Sequence, residues 1–164
     1  MKVDVQHTCS FTGHRPERMN ESEQEVKTWL REQIIRAISD GYTGFISGMQ
    51  RGVDIWAAET LLELKDAGRE VHLIAAAAFK GMERRWDASW QERYNRILTA
   101  AEEVCYICDL PGRTAFRKRN EWMVDHSSRQ IAVYTGAHGG TGETVAYAGK
   151  KGIEIVFYRR SNAG

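Results

Sequence analysis

The feature that most constrains this chain is an alternation. Short apolar runs rich in β-forming residues are separated, almost to the end, by longer stretches whose apolar positions recur every three or four residues. That pattern is the signature of an α/β fold with a mostly parallel sheet flanked by helices. Strands are expected at residues 5–11, 44–47, 71–76, 104–108, 130–134 and 153–158. Between the first two, Asn20 or Ser22 can cap a helix whose residues Val26, Leu30, Ile34, Ala37 and Ile38 share one face and which stops at Gly41. Further helices are expected from Val53 to a stop at Gly68, from about Trp86 to Ala101, and over residues 116–127 and 141–151. No internal repeat or linker interrupts the pattern, and both prolines, Pro16 and Pro111, fall in expected loops. A chain of 164 residues suffices for one core, so a single domain over residues 1–164 is expected, with a solvated tail at 159–164.

Composition narrows the function. Lys and Arg number 23 against 22 Asp and Glu, a net charge of +1, so no overall field draws the protein to nucleic acid or anionic lipid. The longest apolar run, residues 73–79, is far short of the roughly 18 residues of a membrane span. The polar start lacks a signal-peptide core, and a cytoplasmic protein is expected. Three cysteines fit a reducing compartment. Cys105 and Cys108 form a C-x-x-C, but their neighbours read as a buried strand, on which residues three apart face opposite ways. With no second C-x-x-C and no H-x-x-x-H, structural thiols and no metal site are expected.

In open parallel sheets ligands bind beyond the carboxyl ends of the strands, where loops enter helix N-termini. Three such loops are unusual. The first contains Thr12, Gly13, His14 and Arg15, the second Ser47, Gly48, Arg51, Gly52 and Asp54, and the third Gly139, Gly140, Thr141, Gly142, Glu143 and Thr144. Glycines let backbone N–H groups approach an anion, hydroxyls donate, and arginine offers a two-pronged fork, so together they point to phosphate or pyrophosphate. Any one of these glycine sets could simply make a tight turn. A fourth segment, Arg113 and then Arg117, Lys118, Arg119 and Asn120, is the most basic in the chain, with Arg119 and Asn120 expected in the first turn of a helix. Cations there oppose the helix dipole unless an anion is nearby. Neither G-x-G-x-x-G nor G-x-x-x-x-G-K-[ST] occurs, which excludes an ordinary dinucleotide dehydrogenase or P-loop NTPase. Trp86, Trp90 and Tyr94 form one helical stripe, as core packing, a dimer contact or a base-stacking surface would require.

The segments F-T-G-H-R-P, S-G-M-Q-R-G-V-D-I-W-A-A-E, K-R-N-E-W-M-V-D, I-A-V-Y and G-G-T-G-E-T-V-A-Y-A, in this order over nearly the whole chain, resemble the YpsA-type family of the SLOG superfamily. The resemblance implies a single Rossmann-like domain that binds a nucleotide-derived ligand. It also implies relatives such as DprA, which loads recombinase onto single-stranded DNA, and LOG-type phosphoribohydrolases. Ser47, Gly48, Arg51, Gly52 and Asp54 are similar to the S-G-x-A-x-G-I-D signature of DprA, and Arg119, Asn120 and Ser127 to its R-N-x-I-I-x-x-x-S run. Gly139, Gly140 and Gly142 match the glycines of the LOG motif P-G-G-x-G-T-x-x-E, but Glu143 and Ala146 stand where that motif has its threonine and catalytic glutamate. The chain also reads Ala78-Phe79-Lys80-Gly81-Met82 where YpsA relatives tend toward P-F-x-x-Q.

Three functions stay open at this point. The first is a sensor or regulatory module for ADP-ribose, NAD or a nucleoside phosphate, in which Arg15 and Arg51 meet phosphates, the turn from Gly139 to Gly142 presents N–H groups, and Asp54 or Asn120 bonds ribose hydroxyls. No cofactor is required for it, and the superfamily implies a homodimer. The second is an N-glycosidase acting on nucleoside monophosphates, with Glu143 as the carboxylate and Arg119 as phosphate anchor. The third is a DprA-like binder of single-stranded nucleic acid or a protein adaptor, against which the near-zero charge weighs.

Overall fold

Six strands, β1 (Thr8–Gly13), β2 (Gly44–Ser47), β3 (His72–Ala77), β4 (Glu103–Tyr106), β5 (Arg129–Val133) and β6 (Glu154–Phe157), form one parallel sheet in the order β4-β3-β2-β1-β5-β6. The computed structural model describes residues 2–136 and 139–158. The expected tail at 159–164 and residues 137–138 of the third loop lie outside them. Five helices make the crossovers: α1 (Glu23–Ser39), α2 (Val53–Asp66), α3 (Ala88–Ala100), α4 (Arg113–Asp125) and α5 (Gly140–Lys151). This is the Rossmann-like α/β architecture the alternation demands.

A parallel sheet must be covered on both faces, and its alternating side chains divide into two cores. Phe11, Phe45 and Leu73 point toward Leu30 and Ile34 of α1, Leu61 of α2 and Ile97 of α3. Ile46, Ile74 and Ala76 point the other way, toward Met123 of α4. Of the two cap candidates for α1 the structure uses Ser22. Its hydroxyl accepts from Glu25 N–H at 3.1 Å while the Glu25 carboxylate accepts from Ser22 N–H at 3.2 Å, a reciprocal capping box.

Several boundaries differ from expectation for local reasons. Residues 5–7 form a 3-10 turn, so β1 starts at Thr8 and runs on through Gly13. The strand expected to be buried at 104–108 is a sheet edge ending at Tyr106. Its Val104 and Tyr106 are 38% and 42% exposed, and Cys108 lies beyond it. All three cysteines are free, and burial pushes the Cys9 thiol up to about 12, which removes it from thiolate chemistry. Asp87 precedes α3, which leaves Trp86 outside the helix. The aromatic stripe packs inward, Trp86 edge-on to Tyr94 at 5.4 Å and Trp90 beside Trp56 at 6.4 Å. Helix α4 begins at Arg113, so Arg119 and Asn120 occupy its second turn rather than its first. No helix among the described residues is long and apolar enough to cross a membrane.

The strand order fixes where a ligand can sit. From β1 the chain builds outward through β2 and β3 to β4, then crosses back to place β5 on the other side of β1. The connections leaving β1 and β5 diverge to opposite faces, which opens a crevice beyond their carboxyl ends.

Candidate functional site

A cavity of about 530 Å³ occupies that crevice. Its walls are the β1 exit, the start of α2, the N-terminal half of α4 and the first turn of α5. Two glycines make the junction of the β1 exit with α2 sterically possible. A Cβ at Gly13 would lie 2.4–2.7 Å from three atoms of Val53, the first residue of α2. Gly52 has φ +93°, and a Cβ there would meet the His14 carbonyl at 2.7 Å.

Among the described residues five arginines line the cavity, Arg15, Arg18, Arg113, Arg117 and Arg119, against two carboxylates, Asp54 and Glu143. Arg113 and Arg117 stand one turn apart on α4 and are exposed. Arg18 follows Arg15 on a 3-10 turn, Pro16–Arg18, where residues three apart align. Its guanidinium reaches the start of α5, with Nη1 3.1 Å from where a Gly139 Cβ would be. The N–H groups of the first turn of α5 have no helical carbonyl to bond and, with the dipole, add partial positive charge to the same space.

The floor holds two buried groups of opposite charge, Arg119 and Asp54, that act on each other electrostatically. Arg119, 4% exposed, donates through Nη1 to the Gly48 carbonyl and through Nε to Asn120 Oδ1 at 2.8 Å. A Cβ at Gly48 would lie 2.8 Å from Asp54 Oδ2 and 3.0 Å from the Arg119 guanidinium, so both charged groups crowd this glycine. Asp54 Oδ2 accepts from Gln50 N–H at 3.3 Å, whereas Oδ1 is buried without a partner among the described residues. Burial pushes the Asp54 carboxyl from 3.8 up to about 6, although Arg119 and the Gln50 N–H pull it down.

His14, 3% exposed, closes one side. The Thr135 backbone N–H donates to its Nε2 at 3.2 Å, which fixes the ring proton on Nδ1. Burial, and then Arg18, lowers its pKa below the usual histidine value and keeps the ring neutral.

The structure brings most of the sequence-selected residues together. Thr12, Gly13, Arg15, Asp54, Arg119, Asn120, Gly139, Gly140, Thr141 and Glu143 line the cavity. Ser47, Gly48, Arg51, Gly142 and Thr144 stand outside its lining. Ser47 is fully buried, its hydroxyl donating to the Asp54 carbonyl at 2.8 Å and accepting from Met49 N–H at 3.2 Å. Gly142 lies under Tyr134, and Thr144 Oγ1 donates to the Gly140 carbonyl at 2.7 Å. Arg51 is turned to Glu17, Nη2 to Oε2 at 3.1 Å. His14, Arg18 and Gln50 join the lining without having been selected as ligand contacts. For Arg18 the available signal was its three-residue spacing from Arg15.

The YpsA family profile, described as the YspA SLOG family, matches residues 9–155. A UPF0398 protein of Halalkalibacterium halodurans is 31% identical over 111 residues, covering 66% of this chain and 59% of that protein. The uncharacterized SPbeta prophage-derived protein YoqJ of Bacillus subtilis is 33% identical over 138 residues, covering 74% of this chain and 81% of YoqJ. Among solved structures, DNA processing protein A (DprA) from Streptococcus pneumoniae superposes with a TM-score of 0.67 at 15% identity, over 95% of this chain and 51% of DprA. The Helicobacter pylori DprA, studied for its single-stranded DNA binding mode, gives 0.64 at 19%, over 98% and 68%. The chain thus spans little more than half of the first of each set of relatives. The profile match across the sheet and all five helices shows that this chain belongs to the YpsA family of SLOG proteins.

Proposed function

We propose that the protein binds a phosphorylated nucleoside, its phosphates held in the cavity beyond β1 and β5. The observation that carries this reading is the convergence of five arginines and the α5 N-terminus on one concave space. Such a concentration of positive charge in a crevice is stabilised by an anion of more than one charge. Arg15, Arg18, Arg113 and Arg117 contact the phosphates from the rim, while Arg119 is held in the floor by the Gly48 carbonyl and Asn120. Arg51 acts at one remove, by fixing Glu17 beside Arg15.

Titration calorimetry with inorganic pyrophosphate, AMP, ADP, ADP-ribose and NAD tests this. Arg18→Ala and Arg117→Ala are each expected to weaken pyrophosphate binding by about 1–3 kcal/mol, roughly 5- to 150-fold. Unchanged affinity in both would remove the phosphates from this cavity. A short single-stranded oligonucleotide belongs in the same series because the H. pylori DprA is a single-stranded DNA binder. Oligonucleotide binding that exceeds mononucleotide binding and falls steeply with salt would favour that mode instead.

Glycosidic cleavage is a second reading, favoured by Glu143, a carboxylate on the cavity wall where the sugar of a bound nucleotide would follow its phosphate. Release of free base from AMP, if present in the wild type, is expected to fall at least about 100-fold in Glu143→Gln. Release that persists at the wild-type rate would take catalysis away from this residue.

A further inference from the structure

A second cavity, about 470 Å³, lies between α4 and α5. It adjoins the cationic cavity, and Arg117, Asn120 and Glu143 line both. Its character is different. Ala146 and Tyr147 of α5 supply an apolar and aromatic wall, and Asn120 and Glu121 of α4 supply polar groups. Tyr147 is held in place at its edge, its hydroxyl donating to Asp125 Oδ1 at 2.8 Å with Lys151 Nζ 5.3 Å from its ring.

We infer that this groove seats the nucleobase of the ligand whose phosphates occupy the cationic cavity. The inference rests on the proposed function and adds to it the place of the base, between α4 and α5. Three observations point the same way.

The first is reach. From Thr141 at the phosphate end to Tyr147 is six helical residues, roughly 9 Å along the α5 axis, which requires a ligand extending past its phosphate by a sugar and a ring. The second is that, among the described residues, the aromatic rings lining the cationic cavity are buried or covered, His14 at 3% exposed included. Phe116 there is covered by Arg119, 5.6 Å from its ring, and packs edge-on to Phe79 at 5.5 Å, while Phe11 is 2% exposed and stacked on Phe45. The third is complementarity. Asn120 Oδ1 already accepts from Arg119, which leaves the Asn120 amide N–H groups as donors in a groove that Glu121 also lines with acceptor oxygens. Donors and acceptors in one groove suit the polar edge of a base, and a flat neutral ring loses little by leaving water for an aromatic wall.

The test compares pyrophosphate, ribose 5-phosphate and AMP by calorimetry in the wild type, in Ala146→Trp and in Tyr147→Ala. Ala146 is exposed, so tryptophan fills the groove without entering the core. In the wild type AMP is expected to bind roughly tenfold or more tighter than ribose 5-phosphate. Ala146→Trp and Tyr147→Ala are expected to erase most of that margin while leaving pyrophosphate affinity within about twofold. Equal affinity for AMP and ribose 5-phosphate in the wild type, with pyrophosphate still bound, overturns the groove assignment and leaves the phosphate site standing. Unaltered AMP affinity in both variants also overturns it. A change of sedimentation in Ala146→Trp with no change in any affinity assigns the groove to a second copy of the chain instead. No binding of any of the three, pyrophosphate included, defeats the phosphate site itself and this inference with it.

Discussion

Arg119→Met is expected to cost about 3–5 kcal/mol of folding stability, because it leaves the Asp54 carboxylate buried without its counter-charge and the Gly48 carbonyl without its donor. The loss is also expected to depend on pH in a definite direction. Asp54 stands at about 6 in the folded protein against 3.8 outside it, so the folded state binds the extra proton between those values. Its contribution to stability is therefore most favourable below 3.8, falls as pH rises to about 6, and stays low above. Arg119 opposes that rise, so removing it moves the carboxyl further up and enlarges the cost of ionising it. Urea unfolding at pH 5 and pH 8 checks both parts. The deficit of the variant relative to the wild type should be larger at pH 8, and equal deficits would mean that Arg119 acts through packing rather than charge.

Gly13→Ala is the second large effect. The new methyl would sit 2.4–2.7 Å from Cβ, Cγ1 and Cγ2 of Val53, and neither side can yield easily. Gly13 belongs to β1, paired with Val133, and Val53 is a fully buried first residue of α2. The expected loss is at the top of the range for overpacking, about 3 kcal/mol. Pyrophosphate binding should weaken as well, since the clash drives the start of α2, with Asp54, away from the β1 exit. Combining it with Val53→Gly should recover part of the stability despite the roughly 1 kcal/mol a helical glycine costs. A melting temperature unchanged in the single variant would refute the contact.

What could be read in advance follows the range of the forces involved. Periodicity located β2 at Gly44–Ser47 and the start of α2 at Val53, because both are set by burial of their own side chains. The start of α4 was missed by three residues. Its first two residues, Arg113 and Thr114, carry no apolar signal, and its N-cap is Gly112 with φ +129° rather than a hydroxyl. The edge position of β4 was also illegible, since an apolar run does not say how many neighbours its strand will have. In the site, the backbone elements were found and the directions of the long side chains were not. Arg51 looked like a phosphate contact by its glycine neighbours, yet Glu17, 34 positions earlier, takes its guanidinium. Arg18 looked ordinary, yet the turn that follows Pro16 aims it at α5. His14 owes its fixed tautomer to Thr135, 121 positions away, which no local pattern encodes.

The central pairing of β1 with β5 has a kinetic consequence. Cys9 lies opposite Arg129 and Gly13 opposite Val133, so the two lips of the cavity come from far ends of the chain and meet only when the longest loop in the sheet has closed. Such closures carry the highest entropic cost and come late in folding. A half-assembled sheet of β1 to β4 has no cavity for a ligand to recognise. Any molecule held there ties together the two segments whose separation begins unfolding, and so acts on the lifetime of the whole fold rather than on one loop.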